Sequence, residues 1–175
     1  MAAGNPALTP LPLSLRPDSR LTLEVPWPRH PVVTKTGRLS KAKDAGKPIP
    51  WLSRNVVHNL TTNPMSDNPR AMLGQVQRYK VAWKEAVTEA IAEDDGEVLQ
   101  LQHHVEIEAV LYRNPANAMD PGGITEGLKP LVDALVEGGV LRGDTSTHVS
   151  YSPRSRVVTT PRGTQRVVLY LRRPA

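Results

Sequence analysis

The sequence has no cysteine and no phenylalanine, and aromatic residues make up only 4% of its 175 residues. Without cysteine the chain has no disulfides, no cysteine-based zinc site and no thiol nucleophile. With so few aromatic residues, the core must be built mainly from valine, leucine, isoleucine and alanine. The absence of cysteine is typical of an intracellular protein.

Long hydrophobic runs are also missing. No apolar stretch approaches the roughly 20 residues that a bilayer-spanning helix requires. The N-terminus lacks the basic segment followed by an apolar segment that is typical of a signal peptide. We therefore expect no membrane partner and a cytoplasmic location.

The length is enough for one domain with a substantial core and too short for two. Residues 1–19 are rich in proline and alanine without periodicity, which predicts a disordered N-terminal tail. We expect residues 20–175 to form the domain, with a basic loop insertion at about 28–67 that shows no sustained periodicity. Within it, Trp51 is predicted to anchor the loop to the core; the alternative is stacking on an exposed base.

The chain has 22 basic and 17 acidic residues, and their distribution along the sequence is uneven. Asp144 is the last acidic residue. Six arginines follow without a counter-charge in sequence, namely Arg154, Arg156, Arg162, Arg166, Arg172 and Arg173. The predicted insertion contains a second basic cluster, namely Lys35, Arg38, Lys41, Lys43, Lys47 and Arg54. Such clusters suit phosphate binding, although a solvated basic surface explains them equally well. For DNA binding we single out Lys35, Arg38, Lys41, Lys43, Arg154, Arg156 and Arg162.

Hydrophobic periodicity predicts a mixed order of strands and helices. Strands are expected at 21–25, 105–112, 149–151, 157–160 and 166–171, and the turn at 161–164 should join the last two as a hairpin. One helix should begin at Asn68-Pro69 and end near residue 95, with Tyr79 and Trp83 in the core. A second helix is expected over 124–136, where Pro130 removes a backbone donor and can separate the first turn. The fold class is therefore a single α+β domain whose small mixed sheet is packed by two helices.

Residues 120–144 contain the candidate chemistry. Asp120 follows a strand and precedes a glycine turn, Lys129 and Asp133 lie on the next helix, and a second glycine turn leads to Asp144. Two carboxylates and a lysine near such a junction suit a hard divalent cation and a phosphodiester. The plain alternative is that both aspartates cap turns and that Lys129 and Asp133 form a surface ion pair four residues apart.

The spacing of these residues resembles the RusA family of Holliday junction resolvases, which are usually encoded by phages and prophages. The family pattern is Asp-x-Asp-Asn, then Lys-x-x-x-Asp-x-Leu, a glycine turn and Asp-Asp. In this chain the similar residues are Asp120, Lys129, Asp133, Ala134, Leu135, Gly138, Gly139, Val140, Leu141, Gly143 and Asp144. The resemblance extends over most of residues 21–173, but its specific part is 120–144.

The resemblance implies magnesium-dependent cleavage of branched DNA, above all four-way junctions, by a homodimer in the cytoplasm of a bacterial or phage-infected cell. It implies that Asp120 and Asp144 hold Mg²⁺ and that Lys129 stabilises charge on the phosphate. Asp133, one helical turn from Lys129, is expected to orient that lysine.

Two carboxylates of the family pattern are replaced. Gly122 and Gly123 stand where the second aspartate and the asparagine are expected, and Gly143 stands in place of the first residue of the aspartate doublet. Glu126 is a candidate substitute ligand. The alternative function is therefore a catalytically inactive RusA-like protein that still binds DNA.

Overall fold

The structure, a computed structural model, describes residues 20–32, 44–62, 69–93, 100–114 and 119–174. These residues form five strands and four helices in a mixed α+β arrangement. The strands are β1 (Arg20–Pro26), β2 (Val105–Arg113), β3 (Val149–Tyr151), β4 (Arg156–Thr159) and β5 (Arg166–Arg172). The helices are α1 (Arg54–Thr62), α2 (Pro69–Glu93), α3 (Pro121–Gly127) and α4 (Lys129–Glu137). The predicted fold class is confirmed at this level.

Strand β2 is the centre of the sheet. It pairs antiparallel with β5, which in turn pairs antiparallel with β1. On its other edge β2 pairs in parallel with β3 through its first residues and with β4 through its last. The strand is buried on both faces from Glu108 to Leu111, as expected for a central position.

The predicted hairpin of the last two strands is wrong. β4 and β5 lie on opposite edges of β2, so the turn at 161–164 passes the end of β2 instead of joining neighbouring strands. Turn residues predict that the chain reverses direction. They do not determine whether the two strands on either side of the turn pair with each other or with a third strand between them. Here the apolar β2 takes that central position, because it buries more apolar surface there than at an edge.

Two further departures concern the helices. Instead of the two predicted helices, the described residues contain four. The predicted helix over 124–136 is divided at Leu128, and Pro130 lies in the first turn of α4, where its missing N–H costs nothing. The segment predicted as a loop insertion contains α1. The helical periodicity of this short segment is difficult to recognise, because prolines and turn residues flank it. Helix α2 lies where the sequence predicts it, with Tyr79 and Trp83 buried.

All helices contribute to the core on one face of the sheet. Alternate residues of the strands face this core, namely Leu23, Val25, Ile107, Ala109, Leu111, Val167, Leu169 and Leu171. Helix α2 packs against both α4 and β1, while α1 packs against α2 and α3. The start of α1 therefore lies beside α3, the helix that follows Asp120.

The three tryptophans of the chain form one cluster. The rings of Trp27 and Trp83 lie 5.0 Å apart, those of Trp51 and Trp83 5.1 Å apart, and those of Trp27 and Trp51 6.1 Å apart. Their indole N–H groups donate to backbone carbonyls: Trp27 to Ile49, Trp83 to Pro50 and Trp51 to Gly123. The expectation that Trp51 anchors its segment to the core is confirmed, because this residue is 2% exposed and packs within the hydrophobic core.

The other face of the sheet carries ion pairs between charged side chains of neighbouring strands. Arg172 Nε lies 2.9 Å from Glu106 and its Nη2 3.3 Å from Glu108, while Arg156 Nη1 lies 2.9 Å from Glu108. Arg166 Nε lies 3.1 Å from Glu24, an ion pair without hydrogen-bond alignment. Three of the C-terminal arginines that have no acidic neighbour in sequence therefore find one across the sheet.

Among the described residues, no helix combines the length and the apolarity that crossing a lipid bilayer would require.

Candidate functional site

The structure brings three of the predicted site residues together. Lys129 Nζ donates to Asp133 Oδ1 at 2.7 Å and also donates to Asp144 Oδ2. Asp133 is one helical turn from Lys129 on α4, which is the spacing that lets the two side chains meet. Asp144 comes from the loop before β3, so its contact with Lys129 is tertiary. The expected orienting contact from Asp133 to Lys129 is therefore present.

The chain returns to Lys129 because α4 ends in a glycine motif. The N–H of Val140 donates to Leu135 O at 2.9 Å and the N–H of Gly139 donates to Val136 O at 3.0 Å. Gly139 has a φ of 76°, which a residue with a side chain adopts at a cost. The segment that follows then bonds to the residues before β2, through Leu101 N–H to Val140 O at 2.9 Å. This reversal directs Asp144 towards the start of α4.

Electrostatics in this cluster favour the charged forms. The hydrogen bonds that Lys129 donates, first to Asp133 and then to Asp144, raise the pKa of Lys129 well above its usual value. The hydrogen bond from Lys129 lowers the pKa of Asp144. Lys129 and Asp144 are therefore both ionised at neutral pH.

Asp120 lies at the start of α3 and caps that helix. Its Oδ1 accepts from the N–H of Gly123 at 2.5 Å, and Pro121 follows in the first helical turn. This is the turn-capping role that the sequence also allows for Asp120. Its polar contact is with its own turn, whereas Asp144 is bonded to Lys129.

Glu126 connects α3 to α1. Its Oε2 accepts from the backbone N–H of Arg54 at 2.7 Å, which places a carboxylate at the positive end of α1. Glu126 and Arg54 also line two cavities of about 520 Å³ each. The first is lined in addition by Asp120, and the second by Lys129. Asp120 and Lys129 thus line two cavities that share Arg54 and Glu126, and Asp144 contacts Lys129.

Tyr151 lies near the cluster of Lys129, Asp133 and Asp144, although the sequence pattern does not predict it there. Burial raises the pKa of the Tyr151 hydroxyl, and the charges of Lys129, Asp144 and Asp133 also act on it. Tyr151 ends β3, a few residues after Asp144, and is half-buried against the core. The residues around Tyr151 do not indicate that it lies near Lys129 and Asp144. Its position depends on the pairing of β3 with β2.

The donor chemistry of the site suits a hard cation, but it is sparse. Among residues 20–32, 44–62, 69–93, 100–114 and 119–174, no group of three or more acidic or histidine side chains is arranged to hold a metal. Asp120 and Asp144 are both exposed, and each carboxylate can accept about four hydrogen bonds or ligand contacts. The contacts with Gly123 and Lys129 therefore leave each carboxylate capacity for Mg²⁺, which retains several waters in protein sites.

The predicted DNA-binding residues divide into three groups. Lys35, Arg38, Lys41 and Lys43 lie outside the described residues. Arg156 is in the sheet ion pairs with Glu108. Arg154 and Arg162 are exposed, and neither has an ion pair with a described residue.

Comparison with known proteins adds no relative: no protein-family model matches this chain, and no curated protein matches its sequence significantly.

Proposed function

We propose that this chain is a RusA-like, magnesium-dependent endonuclease that cuts branched DNA, above all four-way junctions. One observation carries the proposal: Lys129 is held between Asp133 and Asp144, and the cavity that it lines shares Arg54 and Glu126 with the cavity lined by Asp120. Lys129, Asp133 and Asp144 of the resembled pattern thus lie together in space, although 15 positions separate Lys129 from Asp144 in sequence.

In this proposal Lys129 contacts the phosphate that is cut. An ammonium group has three donors, and Asp133 and Asp144 accept two of them. The third N–H can donate to a phosphate oxygen and stabilise the charge that develops there. Asp133 acts as a positioning residue, because its hydrogen bond holds the ammonium group of Lys129 in place.

Asp120 and Asp144 are the residues that would hold Mg²⁺. When bound, Mg²⁺ would polarise the phosphate or lower the pKa of a bound water. Glu126, with one oxygen on the Arg54 N–H, remains a candidate substitute for the missing carboxylate at Gly122. We propose a homodimer, because a four-way junction presents two strands related by symmetry, and a cytoplasmic location in a bacterial or phage-infected cell.

The test is cleavage of a labelled four-way junction with and without Mg²⁺. We expect Mg²⁺-dependent incision by the wild type and none by Asp144→Asn, which should still bind the junction because it removes a negative charge beside the DNA. Glu137→Gln is the matched control, since Glu137 is an acidic residue of α4 that pairs with Lys84 at 2.6 Å. Cleavage by Asp144→Asn at the wild-type rate would refute the proposed site.

A second function, DNA binding without cleavage, is favoured by a separate observation. Asp120 and Glu126 each accept a backbone N–H, which is a structural use, and no described group of three ligands surrounds them. If the wild type binds junctions with micromolar or better affinity but does not cut them at any Mg²⁺ concentration, this function replaces the nuclease. Light scattering with and without junction DNA tests the homodimer independently.

A further inference from the structure

The cavity beside Lys129 is lined by cationic groups from three helices. Arg54 comes from the start of α1, Lys80 from the middle of α2 and Lys129 from the start of α4. His58 and Glu126 complete its polar lining. Arg54, His58 and Lys80 lie outside residues 120–144. The resembled pattern therefore does not account for their position beside Lys129.

The cations of this cavity differ in their partners. Lys129 already binds two carboxylates. Among the described residues, neither Lys80 nor the guanidinium of Arg54 has a carboxylate within ion-pair distance; Glu126 accepts from the backbone N–H of Arg54, not from its side chain. Lys84, one turn further along α2, is paired with Glu137 at 2.6 Å. Two cations therefore face the same cavity with their charge available to a ligand.

The position of Arg54 is set by buried structure. Trp51, three residues earlier, is 2% exposed and donates to Gly123 O at 3.1 Å. The Arg54 N–H is itself bonded to Glu126. A cationic group on such a rigid support loses less entropy on binding than one on a free loop.

We propose that Arg54 and Lys80 bind a backbone phosphate of the DNA strand, next to the phosphate that Lys129 contacts. The proposal rests on the nuclease or DNA-binding function of the same site. Guanidinium and ammonium groups are the side chains that bind phosphate by charge-assisted hydrogen bonds. The strand would then run from Asp144 past Lys129 and over the cavity that Arg54 and Lys80 line.

The experiment measures the affinity for a four-way junction in EDTA, over a series of salt concentrations, so that binding is separated from cleavage. Lys80→Gln and Arg54→Gln should each weaken binding several-fold and lower the slope of log K against log salt by about 1. Lys84→Gln, on the same helix, should change neither quantity. Arg54→Gln keeps the backbone N–H that bonds to Glu126, and Lys80 is exposed, so both variants should fold.

The outcomes separate this inference from the proposed nuclease. Unchanged slopes for Lys80→Gln and Arg54→Gln, or an equal loss in Lys84→Gln, would overturn the phosphate site even if the wild type cuts DNA. A lower slope in a protein that never cuts would support the phosphate site and reject the nuclease. A wild type that binds no junction at all would reject both.

Discussion

The indole ring of Trp51 lies directly against Gly127, so closely that a Cβ at residue 127 would overlap the ring. Trp51 is on the segment before α1, and Gly127 is the last residue of α3. Their contact joins the two parts of the chain that line both cavities. The absence of a side chain at residue 127 is therefore a requirement of packing, and it determines where Arg54 lies relative to Glu126 and Lys129.

The first prediction concerns this contact. Gly127→Ala should destabilise the fold by about 1–3 kcal/mol. The added Cβ would force the buried Trp51 ring to move, and this movement would weaken the hydrogen bond from Trp51 to Gly123 O. Gly74→Ala is the matched control: a Cβ there meets nothing within 4 Å, and residue 74 is inside α2. The control should be stabilised by about 0.5–1 kcal/mol. Denaturant unfolding measures both, and equal effects would contradict the packing role of Trp51.

The second prediction concerns protonation in the cluster. Lys129→Met should raise the pKa of the Asp144 carboxyl towards its usual value, since the Lys129 hydrogen bond is the main cause of the lowering. Because the folded pKa of Asp144 is lowered, this interaction stabilises the fold above about pH 4 and is lost as the pH falls through the lowered pKa. The pKa of Lys129 is raised, so its contribution persists below about pH 10 and is lost only as the pH rises through the raised value.

Carbon-13 NMR titration of the Asp144 carboxyl measures this shift. Lys84→Met serves as the control, because Lys84 pairs with Glu137 and not with Asp144. An Asp144 pKa that is the same in Lys129→Met and the wild type would show that the contact is absent in solution.

The third prediction restores the missing carboxylate of the resembled pattern. The glycines with positive φ among the described residues are 46, 139 and 163, so Gly122 has a backbone that aspartate can adopt. A Cβ there would lie 3.3 Å from Asp120 Oδ1, which requires a small movement of that side chain. If Mg²⁺ binds here, Gly122→Asp should lower the Mg²⁺ concentration required for half-maximal cleavage, because each added carboxylate contributes a charge and a ligand.

Gly122→Asn separates charge from shape. It has the same size as the aspartate variant but no negative charge, so it should not lower the Mg²⁺ requirement. Identical Mg²⁺ titrations for the two variants would show that residue 122 does not face the metal.

The fourth prediction concerns the charged face of the sheet. The Glu108 side chain is only 10% exposed and pairs with Arg156 and Arg172. Glu108→Gln should therefore cost about 1–3 kcal/mol, since the charge-assisted hydrogen bond from Arg156 and the ion pair with Arg172 are weakened in a mostly buried position. Glu24→Gln, whose side chain is 64% exposed beside Arg166, should cost at most about 1 kcal/mol. Thermal unfolding of both variants measures the difference, and a larger loss for Glu24→Gln would contradict it.

The elements themselves were largely predictable from local pattern. Alternation in 21–25 and 105–112 predicted β1 and β2, and the apolar periodicity after Asn68 predicted α2. Pro130 predicted the interruption between α3 and α4, and the glycines after Glu137 predicted the end of α4. These features depend on side-chain periodicity and on backbone restrictions of proline and glycine, which act within a few residues. Helix α1 was missed because its periodic positions stand among turn residues.

The candidate site was predictable only in part. The pair of Lys129 and Asp133 follows from helical spacing, and the contact of Lys129 with Asp144 follows the reversal that the glycines allow. The relation of Arg54 and Lys80 to this pair has no local signal, because it arises where α1, α2 and α4 pack together.

The sequence by itself determined the class of fold, the positions of most strands and helices, and the residue types available for phosphate chemistry. Only the tertiary structure decided that β2 separates β4 from β5, that arginines 156, 166 and 172 find carboxylates across the sheet, and that Trp51 packs on Gly127. The physical reason is that local preferences act over one or two helical turns. Strand neighbours, ion pairs and ring contacts instead depend on which apolar surfaces are buried together across the whole domain.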